Sequence, residues 1–177
     1  AIAGIMLAFT SLLAGAEGEV AAFPGAEGFG RNAKGGRGGV VLFVTSLADY
    51  APGAEDVIPG TLRAAVEADG PRTVVFRTSG TIDLKASLTV RNPYITIAGQ
   101  SAPGEGICVR TYGLSIRTHD VILRHVRFRP GDDVGRQPEH AEKGWSTDAL
   151  SLSGDAHDVI IDHCSTSWAN DEVLSVS

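Results

Sequence analysis

The chain has 177 residues, 43% apolar and 20% charged, a balance that permits one well-filled core and excludes a disordered polymer. Its formal net charge of -6 argues against a general nucleic-acid binder, and a polyanionic partner would need local cations or a bound metal to offset the repulsion. Abundant glycine (22 residues) with only 6% aromatic residues favours short strands and tight turns over a helical bundle.

Ile2 to Leu13 is an uncharged apolar run, followed by Ala14-Gly15-Ala16 in the small-x-small form of a signal-peptidase site. The run is shorter than the roughly 20 residues that span a bilayer. Residues 1–16 therefore read as the remnant of an export signal, with a second candidate cleavage point after Ala22. They predict a secreted protein, extracellular or periplasmic, without a membrane partner. Neither an initiating Met nor a basic n-region precedes the run, so the front of the signal is expected to be clipped. Residues 17–177 read as one domain, monomeric. Cys108 and Cys164 sit in separate apolar runs and are expected to be buried free thiols rather than a disulfide.

The glycine-rich stretch 23–39 carries Arg31, Lys34 and Arg37, but it has no preceding strand and no phosphate-loop pattern. Its glycines read as backbone that needs positive φ or passes close to other backbone. Val40 to Val44 predicts a strand. Thr61 then caps a short helix, Leu62 to Ala68, with Leu62, Ala65 and Val66 on one face; such a helix is suited to closing an open sheet end.

From Val74 onward short apolar runs follow one another, separated by Gly, Pro, Asn, Asp and Ser: 74–76, 80–84, 88–90, 94–98, 107–109, 114–116, 121–128, 149–152, 159–164 and 173–176. No helix of normal length fits between them. Two of them are copies. His119-Asp120-Val121-Ile122-Leu123-Arg124-His125 recurs as His157-Asp158-Val159-Ile160-Ile161-Asp162-His163, each after a Leu-Ser-Ile or Leu-Ser-Leu triplet, and a weaker copy starts at Asn92. Ile95, Val121 and Val159 are 26 and 38 residues apart, so the second interval holds an insertion, roughly Pro130 to Thr147. Coils in the low twenties of residues with insertions on one side predict an all-β fold, a right-handed parallel β-helix with a short N-terminal capping helix.

Several segments, in this order, resemble the pectate lyase family. They are Phe23-Pro24-Gly25-Ala26-Glu27-Gly28-Phe29-Gly30, Gly35-Gly36-Arg37-Gly38-Gly39, Gly60-Thr61-Leu62-Arg63 and Gly70-Pro71-Arg72-Thr73-Val74-Val75-Phe76. Further along come Ser79-Gly80-Thr81-Ile82, the run 97–104 and Ile161-Asp162-His163-Cys164-Ser165. The resemblance covers nearly all of the chain after the signal. It implies calcium-assisted β-elimination in polygalacturonate, an acidic polysaccharide of pectin. Removing a weakly acidic uronate C5 proton needs charge neutralisation on the adjacent carboxylate and a base within reach.

By the same resemblance Asp148 matches the first calcium ligand, and Asp171, 23 residues on and so about one coil later, matches the next. Glu172 joins them only if the following strand has not begun. The family pattern has a further acidic residue where this chain has Ser175. Among the cations crowded between Arg110 and Lys143, the insertion residues Arg136 and Lys143 are the candidate substrate contacts. The bland alternative for them is a solvated face paired to Asp132, Asp133 and Glu139. Asp162-His163 invites an acid/base reading, but Arg124-His125 fills the same coil positions, which favours stacking and hydrogen bonding. A zinc site from His157, His163 and Cys164 matches no common spacing. The arginine base implied by the family has no match here and is expected in coils beyond Ser177. Two other readings stay open: another β-helix carbohydrate enzyme such as a polygalacturonase-type hydrolase, or a non-catalytic β-helix binding protein.

Overall fold

The computed structural model describes residues 20–138 and 144–177; the export segment and Lys143 lie outside them. Among the described residues, thirteen short strands stack into three parallel sheets. Sheet I holds β1 (Val40–Val44), β2 (Arg72–Phe76), β5 (Ile95–Ala98), β8 (Val121–Arg124) and β11 (Val159–Asp162). Sheet II holds β3 (Gly80–Asp83), β6 (Ile107–Arg110), β9 (Val126–Arg129) and β12 (Ser165–Thr166). Sheet III holds β4 (Leu88–Val90), β7 (Leu114–Ile116), β10 (Leu150–Leu152) and β13 (Ser175–Val176). From β2 onward the chain visits I, II and III in turn and then returns to I one rung further, which makes a right-handed parallel β-helix.

Alternate residues of each strand point inward. Ile95 and Ile97, Ile107 and Val109, Leu88 and Val90, Leu114 and Ile116, Val121 and Leu123, and Val126 and Phe128 are all buried in one continuous core. Each buried side chain of this size contributes about 1.5–3 kcal/mol, but only once a neighbouring rung covers it. The repeat is the register. Ile95 pairs with Val121 and Val121 with Val159, while Leu114 pairs with Leu150, across rungs of unequal length.

The His-Asp and terminal His positions of the repeat make the corners of sheet I. Tyr94, Asp120 and Asp158 enter the sheet at φ of 59°, 56° and 49°, and His125 and His163 leave it at 55° and 52°. Left-handed backbone costs a non-glycine residue of order 1–2 kcal/mol, and side-chain stacking offsets it. The rings of His119 and His157 stack at 4.8 Å, with Tyr94 edge-on to His119, and those of His125 and His163 stack at 4.7 Å. The exit corner also divides the apolar run 121–128 between two strands, β8 and β9, and ends the strand in the run 159–164 at Asp162.

The coil starts earlier than the sequence suggests. β1 pairs along its whole length with β2, from Val40 with Arg72 to Val44 with Phe76, so the first rung begins at Val40 and not Val74. A 27-residue connection holding α1 (Leu62–Glu67) separates the two strands and hides the period. The helix is capped by Thr61, whose hydroxyl accepts from the Ala64 N–H at 3.3 Å. Leu62, Ala65 and Val66 are buried in the main core, where Leu62 lines a small internal cavity with Leu88, Ile97 and Leu114.

Two arginines of the motifs around α1 are buried. The Arg63 guanidinium donates to both carboxylate oxygens of Asp49, at 2.9 Å each, and to the carbonyls of Ala86 and Ser87. Arg72 donates to five carbonyls, those of Ala65, Val66, Gly70, Asn92 and Pro93, and so satisfies the orphan acceptors at the C-terminal end of α1.

The glycine-rich segment crosses the outer face of sheet I. Ala22, Phe23, Ala26 and Ala33 cover Ile122 and Ile160, a second small core. A Cβ on Gly36 would lie 1.9 Å from the Arg72 carbonyl oxygen, so close backbone approach requires glycine there. Cys108 and Cys164 are free thiols, half-buried rather than buried. Burial raises the Cys164 thiol pKa, and its Sγ lies 3.7 Å from the Leu123 carbonyl oxygen.

Candidate functional site

Sheets II and III meet at a corner that is tight in one rung and long in another. Thr111-Tyr112-Gly113 joins β6 to β7, whereas residues 130–149 join β9 to β10. At this corner the backbone ladder of sheet III continues past the strands. Leu114 N–H donates to the Ala149 carbonyl at 3.1 Å, and Ala149 N–H to that of Glu172 at 3.0 Å. Gly113 lies directly beneath Asp148, where a Cβ would be 1.9 Å from the Asp148 carbonyl oxygen. The absence of a side chain there sets the height of Asp148.

This continued ladder brings Asp148, Asp171 and Glu172 together, with one carboxylate oxygen of each within 4.8 Å of the others. β13 begins only at Ser175, so Glu172 precedes the strand and its side chain joins the other two. Its N–H donates to Asp148 Oδ1 at 3.3 Å, and the Ser175 hydroxyl donates to Asp148 Oδ2 at 2.5 Å. Asp148 is half-buried, while Asp171 and Glu172 are exposed. Hydrogen bonding to Asp171 first, then to Asp148, together with repulsion from Asp171, raises the Glu172 pKa above its ordinary value. Glu172 thus holds its proton more tightly than an isolated carboxylate does. A divalent cation can take that proton's place, and an all-oxygen set suits a hard ion such as Ca²⁺.

Two of the three carboxylates, Asp148 and Asp171, line a cavity of about 290 Å³ together with Ser87, Gly113, Leu114, Ser115, Ser146, Thr147 and Ser151. Ser115 and Ser151 in its lining belong to a column of hydroxyl residues on sheet III, where Thr89, Ser115, Ser151 and Ser175 pair in register on successive rungs. Ser115 Oγ is buried and has no hydrogen-bond partner. Asn170 braces the corner: its Oδ1 accepts from Thr147 N–H and its Nδ2 donates to the Trp145 carbonyl, both at 2.9 Å. Neither Asn170 nor the hydroxyl column was read from the sequence. The shared Ser in the two triplets Leu114-Ser115-Ile116 and Leu150-Ser151-Leu152 was the available signal for the column.

The other sequence candidates lie elsewhere. Arg136 is exposed and pairs with Asp132 at 2.9 Å, as the bland alternative had it, and Lys143 is outside the described residues. Arg110, Arg127 and Arg129 stand on sheet II; Arg110 is held by Asp83, and Arg129 donates to the Ser165 carbonyl and hydroxyl. Arg124 Nε donates to Asp162 Oδ2 at 2.6 Å, and His163 Nδ1 lies 2.9 Å from Asp162 Oδ1. Burial disfavours the Asp162 charge, but the bonds from Arg124 and His163 outweigh it and hold the carboxyl below its ordinary range. This corner of sheet I is separate from the acidic cluster.

No protein-family model matches the chain. It is 41% identical over 175 residues to "Probable pectate lyase C" of Aspergillus oryzae, an alignment covering 97% of this chain and 35% of the relative. It is 35% identical over 158 residues to "Probable pectate lyase 22" of Arabidopsis thaliana, covering 83% of this chain and 34% of the relative. The chain therefore spans about a third of the length of the curated relatives it matches. Among solved structures, Jun a 1, the major allergen from cedar pollen, superposes with a TM-score of 0.63 at 28% identity, over 84% of this chain and 44% of the other.

Proposed function

From the premise that this chain is a homologue of pectate lyases over nearly all its length, we propose that it supplies the cation-binding rungs of an enzyme that cleaves polygalacturonate by β-elimination. The observation that carries this reading is the convergence of Asp148, Asp171 and Glu172, the first two of which line a cavity shared with Ser115 and Ser151. Three oxygen-donor side chains fit Ca²⁺, which takes six to eight oxygens and so keeps positions for a substrate carboxylate and water. Bound there, Ca²⁺ would neutralise the uronate carboxylate and make the neighbouring C5 proton easier to remove.

The chain's own residues then divide the remaining work. Asp148, fixed by Gly113 and Ser175, sets the position of the ion, and the two exposed carboxylates complete its protein ligands. Ser151 and its neighbours in the hydroxyl column offer hydroxyls to the sugar hydroxyls of a polymer lying across the rungs. Arg136, exchanging its exposed ion pair with Asp132 for a uronate carboxylate, and Lys143 are the substrate contacts of the corner loop. The protein acts outside the cytoplasm, where pectin is found. The base is an arginine that no residue of this chain matches.

A second reading, a non-catalytic binder of acidic polysaccharide, is favoured by one observation: Ser175 occupies Asp148 Oδ2 where the family pattern has a further acid. One assay separates the two. The full-length protein is incubated with polygalacturonate plus Ca²⁺ or plus chelator, and absorbance of the unsaturated product is followed. A Ca²⁺-dependent rise is expected. Reducing ends without unsaturation would point to hydrolysis, and binding without any product to the non-catalytic reading.

A further inference from the structure

The two copies of the repeat differ at one position that the fold does not dictate. Where the strand of sheet I ends, the earlier copy has Arg124 and the later one Asp162, and each is followed by a histidine in left-handed backbone. The histidine pairs at the two corners of sheet I therefore differ. At the entry corner each imidazole has its own carboxylate: His119 Nδ1 lies 2.8 Å from Asp120 Oδ2, and His157 Nδ1 lies 2.9 Å from Asp158 Oδ2. At the exit corner His125 and His163 stack beside a single carboxylate, that of Asp162.

That difference changes the geometry. Among the described residues, a ring nitrogen of His125, a ring nitrogen of His163 and an oxygen of Asp162 come within 4.8 Å of one another, whereas the entry corner gives no such group. The exit rings are also less parallel, at 18° against 3°. His163 Nδ1 and Asp162 Oδ1, 2.9 Å apart, have the spacing of two ligands at about 90° around an ion with bonds of about 2.0–2.1 Å. A ring nitrogen of His125 lies within 4.8 Å of a ligand atom of each of these residues, so a side-chain rotation that closes the remaining gap would make it the third ligand. The backbone is already fixed, because His125 N–H donates to the Asp162 carbonyl at 3.1 Å.

The surroundings support such a site. Arg124 holds the other oxygen of Asp162, which orients the carboxylate as outer-shell partners of metal ligands do. The guanidinium is itself held 3.8 Å from the Phe23 ring centroid. Its positive charge beside the carboxylate limits the affinity. His163 is exposed, leaving open positions for water, and Cys164 Sγ is turned to backbone carbonyls. Two imidazoles and one carboxylate suit Zn²⁺, Ni²⁺ or Cu²⁺, not the hard ions that an all-carboxylate cluster takes.

We propose that His125, Asp162 and His163 form a second cation site, selective for a divalent transition metal, that clamps two successive rungs together at the exit corner of sheet I. The site is independent of the acidic cluster and of any lyase activity.

The test is calorimetric titration of the metal-free protein with Zn²⁺ near neutral pH, with Co²⁺ as the spectroscopic probe. One equivalent is expected to bind with micromolar affinity. His125→Ala, His163→Ala and Asp162→Asn should each weaken it by about tenfold or more, and Asp148→Asn with Asp171→Asn should leave it unchanged. Histidine NMR on the unmodified protein guards against variants that disturb the stack: the His125 and His163 ring signals should move with Zn²⁺ while those of His119 and His157 stay. Absence of saturable binding below millimolar Zn²⁺ overturns the proposal. So does binding that survives loss of both exit histidines, follows the acidic cluster, or moves the entry pair instead.

Discussion

Asp148 is the residue on which the acidic cluster turns, because its two oxygens already serve the Glu172 N–H and the Ser175 hydroxyl. Replacing it with alanine removes the fixed member of the set and is expected to weaken Ca²⁺ binding by about tenfold or more, read by titration calorimetry; unchanged affinity would remove Asp148 from the site. Ser175→Asp adds a fourth carboxylate and should tighten binding. Glu172 sets the pH dependence. Its pKa is raised by its acidic neighbours, so in the metal-free protein the shared proton stabilises the fold at low pH, and that contribution is lost as pH rises through the raised value. Ca²⁺ affinity runs the other way. It should climb through the same window and level off at higher pH than an ordinary carboxylate site, and Glu172→Gln should move the rise to lower pH. Away from the site, Arg63→Leu leaves Asp49 as a buried, unpaired charge, with both side chains only 1% exposed. The expected loss is about 3–5 kcal/mol in urea denaturation, with Ca²⁺ affinity per folded molecule retained.

At the level of elements, what sequence reading found and what it missed have physical causes. Strands with alternating burial, such as Ile95–Ala98 and Val126–Arg129, declare themselves through their inward apolar residues. The corners do not, because a left-handed histidine or aspartate looks like any other polar residue until the stack above it is seen. Buried arginines are equally hidden: Arg63 and Arg72 belong to motifs that mark the family, yet only the fold shows that they bind Asp49 and the end of α1. Of the acidic set, the family resemblance, supported by a separation of about one coil, suggested Asp148 and Asp171, while the place of Glu172 depended on where β13 starts, a boundary that two residues of strand cannot announce. Gly113 makes the testable link between backbone and site. Gly113→Ala pushes a methyl group against the Asp148 carbonyl and should cost about 1–3 kcal/mol in thermal or urea melts, with weaker Ca²⁺ binding as the second readout.

Across the whole molecule, the period of the coil was legible because similar heptads stack directly, with Val121 on Ile95 and Val159 on Val121. The first rung escaped notice because the connection bearing α1 stretches it beyond the common length. The covering of sheet I by residues 22–33 also escaped, since the glycines that permit it carry no apolar pattern of their own. The long corner between β9 and β10 has a wider consequence. Residues 130–149 add seventeen residues relative to the three-residue corner one rung earlier, yet Leu114 still pairs with Leu150 and Phe128 with Thr166. Folding and recognition are therefore written in separate stretches of the chain. Descendants of one such scaffold can exchange whole corners and test new polymers without renegotiating how the rungs stack.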